Sequence, residues 1–157
     1  MRMLMSDTRV REAIPADIDQ IIELIHEHME YEGATINKMM SGKALSFHLF
    51  SAKTITCLVA EHDSKIVGYA TFMQQFSTWE AGFYLYVDCL YMKETARGRG
   101  TGKKMMQVII NRAKAMNCLE IQWQTPSFNK QAIGFYRHLG ATSLNKERFF
   151  FPNHSSI

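Results

Sequence analysis

No stretch of this sequence approaches the roughly 20 consecutive apolar residues that a membrane-spanning helix requires, so no membrane segment is expected. The opening MRMLMSDTR lacks the apolar core of a secretory leader, which makes a reducing cytoplasm the expected compartment. Cysteine is scarce. Cys57, Cys89 and Cys118 are odd in number, far apart and in no C-x-x-C pair, which argues against a disulfide framework and against a structural zinc site. Proline is rarer than usual as well. Pro15, Pro126 and Pro152 punctuate the chain without dividing it, and neither an internal repeat nor a low-complexity linker is present. There is also no excess of charge of one sign: the formal net charge of +3 is too small to call for nucleic acid. Among the histidines, His26 and His28 flank Glu27 on a helix, where positions two apart point to different faces. His48, His62, His138 and His154 have no ligand spacing, so no metal is expected.

What is there reads as one domain spanning residues 1–157, since 157 residues can bury a sizeable core but not two independent ones. RVREA (Arg9 to Ala13) reads as a short strand. Pro15-Ala16-Asp17 opens a helix carrying Ile18, Ile21, Ile22, Leu24, Ile25 and Met29 at helical spacing. A second, less regular helix is expected between Asn37 and Phe50. ITCLVAEH and KIVGYATFMQQF, split by Asp63-Ser64, form an antiparallel hairpin. FYLYVDCLYM is a long strand with apolar residues at both parities, so both its faces should be covered. A helix carrying Met105, Met106, Ile109, Ile110, Ala113 and Met116 follows, then the strand LEIQWQT, the helix NKQAIGFYRHLG and a final strand or pair from Ala141 to Phe151. The predicted class is α/β (α+β): a mixed, mostly antiparallel sheet flanked by helices, with a β-α-β unit in its second half. The eleven methionines read as core filling, and FFFP near the end as packing in an interface or in the last strand.

The unusual segment is YVDCLYMKETARGRGTGKKMM. Four of the 18 basic residues, Arg97, Arg99, Lys103 and Lys104, crowd around a glycine-rich turn between a strand and a helix. There the backbone N–H groups of such a turn can converge with a helix N-terminus to bind an anion, the alternative being a glycine-rich helix entry with no ligand. Two familiar phosphate loops are excluded by counting. A G-x-x-x-x-G-K-[ST] loop would need glycine where Arg97 stands and Ser or Thr where Lys104 stands. A G-x-G-x-x-G fingerprint would need glycine in place of Lys103.

The remaining pattern, Arg97-Gly98-Arg99-Gly100-Thr101-Gly102, resembles the R-x-x-G-x-G motif of the GNAT superfamily of acetyl-CoA-dependent N-acetyltransferases. A second segment, Asn129-Lys130-Gln131-Ala132-Ile133-Gly134-Phe135-Tyr136 with Leu139-Gly140-Ala141, resembles the N-x-x-A-x-x-F-Y segment of the same family in the same order. The resemblance covers nearly the whole chain. Within the family, PADIDQIIELIHEHMEYE, FSTWEAG and YLYVDCLYM are similar to the first helix, central hairpin and strand of the diamine acetyltransferases.

The resemblance implies a splayed strand pair holding acetyl-CoA as acetyl donor, the first strand of the pair being bulged so that pantetheine pairs with its backbone at Leu90, Tyr91 and Met92. It implies a pyrophosphate cradle from Arg97, Gly98, Arg99, Gly100, Thr101, Gly102 and Lys103, with Asn129 and Ala132 on the pantetheine or phosphate end. It further implies a small-molecule amine as acceptor, bound by Tyr31, Glu32, Gln122, Trp123, Gln124 and Glu147, and a homodimer. Asp88 stands where the diamine enzymes carry a glutamate. An alkyl ammonium has a pKa near ~10.4 and no lone pair until a base removes its proton. A carboxylate in a partly desolvated site is suited to that task, so Asp88 is the expected general base, acting through water because aspartate is short. Read alone, Asp88 is more readily a sheet carboxylate paired with a neighbouring Arg or Tyr, and it is the family register that reverses this preference. Tyr136 is the expected general acid for the departing thiolate. Phe135 reads as core, and Cys89 as a small buried side chain rather than a nucleophile. Trp79 either stacks on a cationic amine or covers the sheet. Rival acceptors are a protein N-terminus, a lysine side chain or an aminoglycoside. A CoA-binding sensor without turnover is the rival of another class.

Overall fold

The computed structural model describes residues 7–34 and 41–153. It forms two compact units, residues 1–124 and residues 125–157.

The first unit is built on a five-stranded sheet with strands in chain order. Strand β1 (Arg9–Glu12) pairs antiparallel with β2 (Thr56–His62), β2 with β3 (Lys65–Ser77), and β3 with β4 (Gly82–Met92). β5 (Ile121–Trp123) runs parallel to β4, as a crossover through a helix requires. The β2–β3 hairpin turns at Asp63 and Ser64, both with positive φ (49° and 61°), the backbone twist that a two-residue hairpin favours.

Helix α1 (Ile18–Tyr31) follows a short 3-10 turn at Pro15–Asp17, where the Asp17 carboxylate accepts the Ile14 N–H at 2.8 Å. Its apolar stripe is the expected one. Ile21 and Leu24 are fully buried in a cluster with Leu49, Cys57, Val59, Ile66 and Tyr69 on one face of the sheet, and Cys89 and Tyr91 of β4 pack against that cluster. Helix α2 (Gly42–Ser46), capped by the Ser41 hydroxyl on Ala44 N–H at 3.1 Å, runs into a wider π-type turn over Phe47–Ser51. The start of the predicted second helix lies outside the described residues. Helix α3 (Thr101–Ala115) buries Met105, Met106, Ile109 and Ala113. No helix among the described residues is long and apolar enough to cross a membrane.

The second unit holds helix α4 (Lys130–His138), whose first turn is capped by the Asn129 side chain on Ala132 N–H at 3.2 Å. The predicted final strand is not found. Residues 142–151 are exposed and in no ladder, and Leu144, Phe149 and Phe150 are among the most exposed apolar side chains described. Strand character in TSLNKERFFF is realised only when a partner edge pairs with it, because β-propensity measures packing against neighbours rather than a preference of the backbone alone.

Gly68 of β3 sets the approach of the two strands at the end of β4. A Cβ there would run into the Met92 side chain and meet Tyr91 O at 3.0 Å. Gly68→Ala is expected to destabilise the protein by about 1–3 kcal/mol through overpacking, read as a shifted urea midpoint at unchanged m-value.

Candidate active site

Two features of the first unit coincide. The β3–β4 register passes from Thr71↔Cys89 to Phe72↔Val87, so Asp88 is an extra residue with no partner on β3. This is a β-bulge, which re-aims a side chain and interrupts pairing. On the other side of β4, parallel pairing with β5 runs through Leu85↔Ile121, Tyr86↔Gln122 and Val87↔Trp123 and ends there. The two strands therefore part at Asp88. Beyond that point the backbone of Leu90, Tyr91 and Met92 has no β5 partner on that side.

The Asp88 side chain is exposed, and the expectation of a partly desolvated carboxylate is corrected on this point. The physical reason is the bulge itself: the extra residue is covered by neither adjoining strand. The Cys89 thiol lies beside it, with Sγ donating toward Asp88 Oδ2 at 3.8 Å. Burial and the Asp88 charge push the Cys89 thiol up to about 11, so it stays protonated at neutral pH and is a poor nucleophile. Burial likewise pushes Cys57 up to about 12.

β4 leads directly into the glycine turn through a short 3-10 turn at Glu94–Ala96. Gly98 and Gly100 both have positive φ (72° and 79°), a conformation that costs other residues about 1 kcal/mol or more. A Cβ at either would meet nothing within 4 Å, so the glycines serve backbone conformation and leave open space on the loop. Lys104 N–H donates to Gly100 O at 3.0 Å and closes the first helical turn, which leaves the Thr101, Gly102 and Lys103 amides as the helix's unpaired N-terminal donors. Thr101 is buried, while Arg99 and Lys103 are exposed. The turn thus fits a diphosphate by its donors and by its space.

Arg97 is placed differently from the other motif residues. Its Nε donates to Met92 O at 3.0 Å, and its guanidinium stacks over the Tyr31 ring at 4.7 Å and over Tyr91 at 5.5 Å. One of the predicted acceptor residues, Tyr31, is therefore brought together with two of the predicted coenzyme residues. Glu32, half-buried at the end of α1, takes the His28 Nε2 at 3.2 Å. Gln122 and Gln124 are exposed, Gln122 donating to Glu120 at 2.6 Å, and Trp123 is partly buried. In the second unit, Asn129 serves as the helix cap, Ala132 supplies the capped amide, Tyr136 is half-buried with its ring 5.3 Å from that of Phe135, and Glu147 is exposed.

Sequence reading missed the groups that hold Tyr91. His28 stacks on the Tyr91 ring at 5.1 Å and shares a 2.8 Å hydrogen bond with the Tyr69 hydroxyl through Nδ1. Glu27 accepts from Tyr91 at 3.5 Å and pairs with Lys93 at 3.2 Å. Burial and the Glu27 charge raise the Tyr91 phenol above its ordinary range. His28 is 41 residues from Tyr69, so no local spacing advertises the pair. Among the described residues no cluster suits a metal ion.

Residues 20–141 match the family model described as the acetyltransferase (GNAT) family. The thialysine N-epsilon-acetyltransferase of Bos taurus is 31% identical over 90% of this chain and 88% of its own length. The mouse protein of the same name is 29% identical over the same shares. Among solved structures, one titled as a transcriptional regulator from Bacillus halodurans superposes with a TM-score of 0.79 at 22% identity, covering 92% of this chain and all of that one.

Proposed function

The chain belongs to the acetyltransferase (GNAT) family, and on that premise we propose that it moves an acetyl group from acetyl-CoA to a primary amine of a small polyamine- or lysine-like molecule. The observation that carries this reading is the coincidence at Asp88: the extra residue of the bulge stands where β4 and β5 separate, and the same strand runs on into the glycine turn. The similarity to thialysine acetyltransferases supports the acceptor class.

In this reading the amides of Gly98 to Lys103 bind the coenzyme's diphosphate, and the Leu90–Met92 backbone pairs with pantetheine. Bound acetyl-CoA supplies the activated acyl carbon. Asp88 attracts the acceptor ammonium and takes up its proton, directly or through one water, so that the amine nitrogen gains the lone pair needed for attack. Holding both reactants in near-attack geometry removes the need for a covalent enzyme intermediate, in keeping with a Cys89 that remains a thiol. Tyr136 gives a proton to the departing thiolate. Asn129 and Ala132 are assigned to the coenzyme, and Glu32, Gln122, Trp123, Gln124 and Glu147 to the acceptor. A homodimeric, cytoplasmic enzyme of one domain completes the proposal.

The test is thiol release from acetyl-CoA with a panel of thialysine, lysine, ornithine, diamines, polyamines, aminoglycosides and peptides. The expected result is a kcat/KM for one of the small diamine- or lysine-like amines at least about tenfold above that for any aminoglycoside or peptide. Coenzyme binding without thiol release for any amine would refute it.

A further inference from the structure

We infer that Tyr31 and Arg97 act as a pair of positioning residues for the coenzyme: the Tyr31 ring on α1 holds the Arg97 guanidinium, and that anchor keeps the glycine turn in its anion-binding conformation. The inference rests on the proposed coenzyme site and changes the role of Tyr31, which the family resemblance assigns to the acceptor.

Three contacts carry it. The Arg97 guanidinium lies 4.7 Å from the centroid of Tyr31 and 5.5 Å from that of Tyr91, and its Nε donates to Met92 O at 3.0 Å. Its own N–H is taken by Glu94 O at 3.2 Å, so Arg97 is fixed at both backbone and side chain. The next residue begins a stretch that cannot fix itself. Gly98 and Gly100 hold positive φ with no side chain to restrict them, and free glycines populate many other conformations. Ordering such a turn is an entropic cost that falls on ligand binding unless the free protein has already met it. Arg97 is the residue immediately before the turn whose side chain reaches another element. Tyr31 is the outer half of that contact: it is 43% exposed and sits at the last position of α1. Tyr91 in turn is backed by His28 and Glu27 of the same helix, so α1 holds the guanidinium from two sides. A lysine at position 97 would keep the charge but lose the planar stack and the fork that reaches Met92 O.

The experiment is calorimetric titration of the full chain with coenzyme A, without any amine, for the native protein, Tyr31→Leu, Tyr31→Phe, Arg97→Met and the Tyr31→Leu/Arg97→Met double variant. Tyr31→Leu is expected to raise Kd by about three- to tenfold, the range of a half-exposed cation–π contact. Tyr31→Phe, which keeps the ring, should stay within about twofold of native, a rescue that separates loss of stacking from loss of fold. Arg97→Met should weaken binding at least as much as Tyr31→Leu, and the double variant should be no weaker than Arg97→Met, since the two residues act through one contact. Unchanged coenzyme affinity in Tyr31→Leu would return Tyr31 to the acceptor side and overturn the inference, and additive losses in the double variant would do the same. A native chain that binds no coenzyme A would instead overturn the proposed site, and this inference with it.

Discussion

Replacing Asp88 by Asn is expected to lower turnover with the preferred amine by about 100- to 1,000-fold near neutral pH, the range that one general base supplies, while coenzyme affinity stays within about twofold. The argument starts from the acceptor. With an ammonium pKa near ~10.4, less than about one part in a thousand of an alkyl amine carries a free lone pair at pH 7. The native carboxylate both draws in the cation and accepts its proton. Asparagine is nearly isosteric and does neither. Among the described residues Asp88 belongs to no ion pair, and the neighbouring contact is the weak one from the Cys89 thiol, so no structural cation loses its partner in the variant. The deficit should shrink as pH rises, because the free-amine fraction grows about tenfold per pH unit below the amine's own pKa. A profile of kcat/KM against pH checks this. Native-like turnover in Asp88→Asn at pH 7 would assign proton removal to another group or to bulk water.

The second large effect is on stability and lies at the corner of β1 and α1. Arg11 donates to both Asp17 oxygens, at 2.7 and 3.0 Å, and to Glu61 of β2 at 2.7 Å. Asp17 is 5% exposed and also accepts the Ile14 N–H. The hydrogen bonds from Arg11 hold the Asp17 carboxyl below the usual carboxylate range, against the opposing effect of burial. Arg11→Met would leave a buried carboxylate without its cation, a change that costs about 3–5 kcal/mol. For a chain of this size that corresponds to a fall in Tm of roughly 6–20 °C. The pH dependence has a definite sign. Because the folded pKa of Asp17 is depressed, its contribution in the native protein is present above the ordinary carboxylate pKa and is lost as pH falls through the lower folded value. In Arg11→Met the unpaired carboxylate favours protonation instead, so the defect should fade toward acid pH. Urea melts at pH 7 and pH 4 check both statements, and Arg11→Met/Asp17→Asn should recover part of the loss at pH 7.

The parts of this protein that were legible in its sequence are those set by local repetition. The stripe Ile21, Leu24 and Ile25 reports α1, and Met105, Met106, Ile109 and Ala113 report α3, because a helix buries every third or fourth residue wherever it packs. Asp63-Ser64 marks its hairpin because few residue pairs adopt the turn's backbone. The glycine turn was legible for a related reason: Gly98 and Gly100 occupy a region of backbone space that other residues avoid. The predicted strand at 141–151 failed because its pairing depends on an edge elsewhere.

The candidate site divides in the same way. The motif residues could be named because their pattern resembles the family's, and a run of amides before a helix is suited to an anion. Their tertiary roles could not. That Asp88 is the extra residue of a bulge follows from how Gly68–Ser77 of β3 pair with Gly82–Met92 of β4, a register with no local signature. That Arg97 turns back to Tyr31, 66 positions earlier, rather than toward the loop, depends on α1 packing beside β4. The sequence by itself determined which backbone could bend where and which faces had to be apolar, since these follow from sterics and hydrophobicity residue by residue. Only the tertiary structure decided which carboxylate stands uncovered and which arginine is spent on anchoring, because exposure and stacking are relations between elements that no single segment contains.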